Sequence, residues 1–553
     1  MPNPDGRLED GTVDQRAAAG RAALWHGVAA AAPGTRQAAY PGGAGDTSGN
    51  GGRAHGAGTT VGFVVAPRPP AGSPGTTGPG RRGGSGNGVQ AGTGRGPGTG
   101  GRPGTGGHPG TGGNSGNGNG PGGNGRPGGW ERARDRPAIS GHQGALDGIR
   151  AIAAFAVLVT HVAGQTAFSV RGSAAGWVTA RGDVGVPIFF TLSGLLLFRP
   201  WVRAVLEGRP WPRARSYLWR RALRILPAYW AVVLIALPTL SPKHMTSAWT
   251  WVQHLLLLQV YDPAPWWRGT GAPGLGQMWS LCTEVAFYLV LPAIALILAT
   301  VACRGAAGAE KRARRLVIGL VVTGMCSFGF ILFEFLPQPK FWLEETLPQS
   351  LVWFACGMIL SVLSVWAQVE ANPEGPVNRF CRTVAASGGT CWLLAALVFA
   401  IACTPVAGPA GFAVSTVWDT ETKTALYAII GLVLVAPAAL QPARETRMSR
   451  VLGNRVMRFL GKISYGVYLW QFLLIIGFFN LLHLKDGFHQ DYSAADVAGL
   501  LIAIAFGTAV VSTASYFVLE GPAQRLYRMV PQTAGRHAAR HRKPSHPWAP
   551  PPH

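Results

Sequence analysis

From Leu146 to Leu519 the sequence is a succession of apolar runs, each about as long as the ~20 residues an α-helix needs to cross a hydrocarbon layer of ~30 Å. A chain of this kind in water would expose far more apolar surface than a soluble monomer tolerates. The fold class follows: an all-α, polytopic membrane protein. Ten spans are predicted, at 146–167, 184–203, 224–241, 279–302, 315–336, 349–368, 389–406, 424–441, 459–482 and 496–519. A further apolar run, Trp249 to Tyr261, is too short to cross and reads as an interfacial or re-entrant segment.

Charge supports this division. A formal net charge of +24 would suggest nucleic acid in a soluble protein. Here the basic residues gather in alternate loops. Arg199 to Arg224 follow the second span, Arg304 to Arg315 the fourth, and Arg444 to Arg458 the eighth; Arg525 to Arg542 follow the tenth. Intervening loops are poor in Lys and Arg, and 337–348 carries Glu344 and Glu345. Basic loops stay cytoplasmic. The expectation is a multi-pass plasma-membrane protein with both termini cytoplasmic, which requires an even number of spans. The loop between the sixth and seventh spans is nearly balanced and tests this least well.

Two tails flank the membrane region. Residues 1–140 are a Gly- and Pro-rich low-complexity stretch, expected to be disordered and cytoplasmic because it cannot bury enough apolar surface to offset chain entropy. Residues 529–553 read as a basic, disordered C-terminal tail, leaving 141–528 as the membrane domain. The first residues lack the apolar segment of a signal peptide, so the first span is expected to direct insertion. The 7 cysteines are scattered, mostly within apolar runs, with no CxxC pair, and read as small buried hydrophobes; no metal site is expected.

Against this apolar background a few polar residues stand out. In the first span Arg150 and His161 are eleven residues apart, close to three full turns, so they share a face with the histidine about 16 Å deeper. An ionisable group there is costly and a functional candidate. The second span opens with Asp183 and carries Ser193-Gly194 near its middle, small residues that suit close helix packing as well as substrate contact. Arg221 and Arg224, at i,i+3, suit phosphates as well as membrane orientation. The fourth span opens Trp279-Ser280 and places Ser280, Glu284 and Tyr288 on one face. Since Glu284 enters from the outer side, the expected order across the membrane is Arg150, His161, Glu284. The aromatics of the ninth span read as belts or packing.

The segments LDGIRAIAAFAVLVTH, GDVGVPIFFTLSG, RRALRILPAYW, MWSLCTEVAFYLVLP, LGKISYGVYLWQF and SYFVLEGPAQRL, in this order, resemble the membrane-bound acyltransferase family three from about 146 to 528. The resemblance implies a ten-helix enzyme moving an acyl group, often acetyl, from cytoplasmic acyl-CoA to hydroxyls of cell-surface polysaccharides, lipid-linked glycans or antibiotics. By position it makes Arg150 and His161 the essential pair, Arg221 and Arg224 the basic donor motif, and Trp279, Ser280 and Glu284 the tryptophan-serine-glutamate motif. The implied catalytic set is His161, Glu284 and Arg150. Arg221, Arg224 and Arg150 would take the donor phosphates, and Asp183, Ser193, Trp279 and Ser280 would line the substrate path. Gln471 stands where many members have His, and no esterase-like domain follows the tenth span, so a partner protein would be one route for acceptor transfer. The alternative on the residues alone is a proton-coupled transporter or flippase of a glycan or lipid precursor, because intramembrane His and Glu also build proton relays.

Overall fold

The computed structural model describes residues 144–529, apart from 268, 306–307, 410–414 and 441–446. Both expected tails lie outside the described residues, and every regular element among those residues is helical. The first span is α1 (Gly144–Gln165). A short α2 (Ala174–Ala180) leads into α3 (Gly185–Glu207), and α4 (Ala214–Leu240) returns across the bundle. An irregular segment holding α5 (Ala248–Leu255) precedes α6 (Trp279–Cys303), α7 (Ala309–Phe335) and α8 (Leu347–Val369). Then come α9 (Pro376–Ala386), α10 (Gly388–Ala402), α11 (Val417–Ala439), α12 (Arg447–Leu452), α13 (Arg455–Leu481) and α14 (Ala494–Ser515). A π-helical turn, Tyr516–Glu520, joins α14 to α15 (Gly521–Arg525).

Among the described residues nine helical units are long and apolar enough to cross a bilayer, or ten if the bent pair α9–α10 is one span. That pair contains the predicted seventh span, as a bent helix pair. Its apolar part, α10, has 15 residues, about 22 Å and short of a full crossing. The amphipathic α9 meets it at 72°. Ser387, Gly388 and Gly389 occupy the break, where residues poor at helix propagation let the axis turn. The cysteines need a correction: Cys282 and Cys381 are buried, but Cys303 and Cys326 face outward.

Alternating helix direction gathers the arginine-rich ends at one end of the bundle, here termed the basic end. Arg312 on α7 donates to the Val205 carbonyl of α3 at 3.3 Å, and Arg315 reaches the Ala302 carbonyl of α6 at 3.4 Å. Small residues set how closely the helices cross. A Cβ on Gly357 of α8 would stand 1.9 Å from the Thr191 carbonyl of α3, and one on Gly194 would stand 2.2 Å from the Phe354 carbonyl. No L side chain fits, so backbones touch there, as in membrane helix pairs built on small residues. Next to this crossing Phe354 stacks on Phe190 (4.5 Å) and Phe287 (3.9 Å), tying α3, α6 and α8 into one wall.

The segment between α4 and α6 dips into the bundle. Gly274 lies against Leu240 and Ile476, and the Gln277 amide donates to the Leu469 carbonyl at 3.0 Å. Leu469 is twelve residues before the end of α13, about 18 Å along its axis. α6 therefore begins well inside the bundle. His254 of this segment is fully buried; its Nδ1 bonds the Thr250 carbonyl at 2.8 Å, and the Tyr229 hydroxyl donates to the His254 carbonyl.

Candidate active site

The deep start of α6 decides which polar residues meet. A cavity of about 210 Å³ is lined by Arg150 of α1, Ser193 of α3, Arg221 and Arg224 of α4, Ser280, Glu284 and Tyr288 of α6, and Ser464, Tyr465 and Tyr468 of α13. Val186, Phe189, Phe190, Leu196 and Leu281 form an apolar wall between them. The predicted face of Ser280, Glu284 and Tyr288 is real: all three line this space.

Glu284 is its anionic centre. Its Oε1 accepts from the Ser193 hydroxyl at 2.5 Å and from the Tyr288 hydroxyl at 2.7 Å. A carboxylate away from water needs such donors, because an unpaired one is costly. The adjacent residues Ser193 and Gly194, about 100° apart around α3, thus divide two tasks between different faces. The glycine makes the α8 crossing and the serine turns to Glu284. Ser280 bonds the Tyr468 hydroxyl at 2.6 Å, and Tyr468 donates in turn to the Gln277 carbonyl at 2.5 Å. The Tyr465 hydroxyl donates to the Ile225 carbonyl at 2.8 Å, fixing α13 to α4.

The cations are less satisfied. Arg150 reaches Asp147, one turn earlier, at only 3.5 Å. Among the described residues no carboxylate lies within 4 Å of Arg221 or Arg224, and the Arg221 Nε is buried without a partner. Three guanidiniums thus face one carboxylate across the cavity. A surplus of positive charge in a partly desolvated space favours an anionic ligand, and guanidinium forks match phosphate oxygens in geometry.

His161 lies elsewhere. It does not line the cavity. Its ring packs on Phe472 at 4.3 Å, beside the Gln471 side chain, and its Nδ1 is buried with no hydrogen-bond partner. Gln471 donates to the Tyr468 carbonyl at 3.2 Å, so a single turn of α13 separates the histidine from the cavity wall. Asp183 does not line the cavity either. It pairs with Lys423 at 2.7 Å and accepts from Tyr427, both of α11. Trp279 packs against the hydrophobic core and stays out of the cavity. The order expected along the membrane normal is therefore revised: Arg150 and Glu284 share one chamber, and His161 lies beyond it.

Sequence reasoning passed over Ser464, Tyr465 and Tyr468. Their signal is hydroxyls at i, i+1 and i+4 in an otherwise apolar span, a pattern that also suits interfacial belts or helix packing.

Residues 143–517 match the acyltransferase domain family. Acyltransferase MdmB of Streptomyces mycarofaciens is 26% identical over 400 residues, covering 69% of this chain and 92% of MdmB. Peptidoglycan O-acetyltransferase OatA of Listeria monocytogenes is 24% identical over 361 residues, covering 60% of this chain and 49% of OatA. A Staphylococcus aureus (strain COL) protein provisionally named an O-acetyltransferase is 25% identical over 346 residues, covering 60% of this chain and 50% of its own length. The chain thus spans about half the length of the Staphylococcus relatives it matches. No solved structure matches. With the family matched across nearly all the described helices, which are long and apolar enough for a multi-pass membrane protein, the chain belongs to the acyltransferase domain family.

Proposed function

We propose that the protein moves a short acyl group, acetyl in the simplest case, from acyl-CoA bound at the basic end to a hydroxyl of a cell-surface glycan, a lipid-linked sugar or a secondary metabolite. The observation that carries this reading is a chamber in which Arg150, Arg221 and Arg224 outnumber the one lining carboxylate, Glu284. The donor's diphosphate would supply the missing anion. Loops rich in arginine face the cytoplasm, where acyl-CoA is made, so the basic end would face inward across the plasma membrane with both termini cytoplasmic. The similarity to the Listeria peptidoglycan O-acetyltransferase supports a glycan hydroxyl as acceptor.

In this reading the thin pantetheine arm runs from the arginines along the apolar wall past Tyr468 toward His161. The acceptor approaches from the opposite end, past Asp183. His161 takes the hydroxyl proton as the acceptor oxygen bonds to the thioester carbon. The carbon–sulfur bond breaks, and the proton passes to the leaving thiolate, so ester and free CoA form with no net proton change. Glu284, held by Ser193 and Tyr288, orients Arg150 and the arm. Transfer is carried out by the membrane core alone or with a partner protein delivering the acceptor.

The test is mass spectrometry of surface glycans and small metabolites from cells with and without the gene. One acetyl or other acyl mass lost on deletion, and restored by wild type but not by His161→Ala, is the expected result. Identical acylation in all three strains contradicts the proposal.

A further inference from the structure

The chain continues past its last span, and that continuation folds back on the arginines. The π turn Tyr516–Glu520, α15 and the turn Leu526–Met529 pack along α4, the helix bearing Arg220, Arg221 and Arg224. Two side chains of this continuation stand in the field of those arginines. Glu520 is 3% exposed, has one carboxylate oxygen without a hydrogen-bond partner, and has Arg224 as its electrostatic neighbour. Tyr527 is partly exposed, and Arg224, Arg221 and Arg220 are its cationic neighbours. A buried carboxylate inside a membrane span is costly unless a cation answers it. Arg224 is the cation that acts on Glu520, at longer range than an ion pair, and so draws the continuation toward α4. A π turn at this point also fits, since such turns are rare and recur at functional sites.

We propose that residues 516–529 form the outer wall of the donor site, where Tyr527 receives the purine ring of the adenosine 3′-phosphate 5′-diphosphate end of acyl-CoA while Arg220, Arg221 and Arg224 take its phosphates. This rests on the acyl-CoA reading given above. An aromatic face beside a cluster of guanidiniums is the combination a nucleotide needs: stacking for the base and forked donors for the phosphates. The arrangement divides the donor between two places. The nucleotide stays at the mouth between α4 and the continuation, and only the pantetheine arm enters the chamber lined by Arg150, Ser193 and Glu284.

The test is equilibrium titration of the full-length protein in lipid nanodiscs with CoA and, separately, adenosine 3′,5′-bisphosphate. Wild type is expected to bind both. Tyr527→Ala should weaken both about tenfold, a loss of ~1.4 kcal/mol, whereas Tyr527→Phe, which keeps the ring, should stay within twofold of wild type. Tyr527→Leu keeps apolar packing without a π face and should match the alanine variant, which covers the case in which alanine loosens the turn. Wild-type affinity in the alanine and leucine variants overturns the assignment of residues 516–529 and leaves the acyl-CoA reading standing. Failure of the wild type to bind CoA overturns that reading, and this inference with it.

Discussion

The hydroxyl of Ser193 is the most exacting place to perturb the chamber. It donates to Glu284 Oε1 at 2.5 Å, and among the described residues the other donor to that oxygen is Tyr288 at 2.7 Å. Ser193→Ala removes one of two hydrogen bonds to a carboxylate without adding bulk. Hydrogen bonds to charged groups contribute roughly 1.5–3 kcal/mol. If the whole of that is felt in the transition state, kcat/KM falls roughly 10- to 150-fold, at about 1.4 kcal/mol per decade. The assay is transfer of label from [14C]acetyl-CoA into acid-stable acceptors of membrane vesicles, with protein amount and monodispersity checked in detergent. Tyr288→Phe should show a loss of the same order. Because both donors act on one oxygen, the double variant should depart from additivity by about 0.5–3 kcal/mol. Wild-type activity in Ser193→Ala, or strictly additive losses, would refute the view that Glu284 works through these two hydroxyls.

Arg221→Ala and Arg224→Ala should each raise the KM for acyl-CoA about tenfold with a smaller change in kcat, and Arg224→Lys should not restore it, since an ammonium cannot make the bidentate phosphate contact; steady-state kinetics over donor concentration checks this. Gly357→Ala puts a methyl 1.9 Å from the Thr191 carbonyl and should cost at least ~1–3 kcal/mol, read as a lower unfolding temperature in detergent. Gly389→Ala, which meets nothing within 4 Å, should be neutral or slightly stabilising. Burial holds the His254 pKa below its ordinary value of 6.5. The unfolded chain therefore binds the proton more readily, and the associated stability is complete above that value and lost as pH falls below it. Thermal stability should drop from pH 7 to pH 5 in wild type, and less in His254→Gln.

The spans were legible because the bilayer imposes one length on every crossing, and apolar runs of that length are hard to mistake. The seventh, α10, is shorter than predicted because its helix begins at a Ser-Gly-Gly break where the axis turns through 72° from α9. Within a span, helical spacing correctly grouped Ser280, Glu284 and Tyr288. Between spans it had no purchase. Whether Ser193 served packing or substrate depended on which helix faced it, and no local pattern encodes Glu284 as its partner. The order Arg150, His161, Glu284 went wrong for a definite reason: depth was counted from a span assumed to begin at the membrane surface. The 241–278 segment dips inward, so α6 starts about 18 Å inside the far end of α13 and brings Glu284 to Arg150.

The central claim is that the arginine chamber holds the acyl donor. Its most direct measurement is CoA binding to the full-length protein in nanodiscs, for wild type, Arg150→Ala, Arg221→Ala and Arg224→Ala. Saturable binding by the wild type, weakened at least tenfold by each substitution, is the predicted result. Binding that all three variants retain at wild-type affinity, or no saturable binding by the wild type, would contradict it.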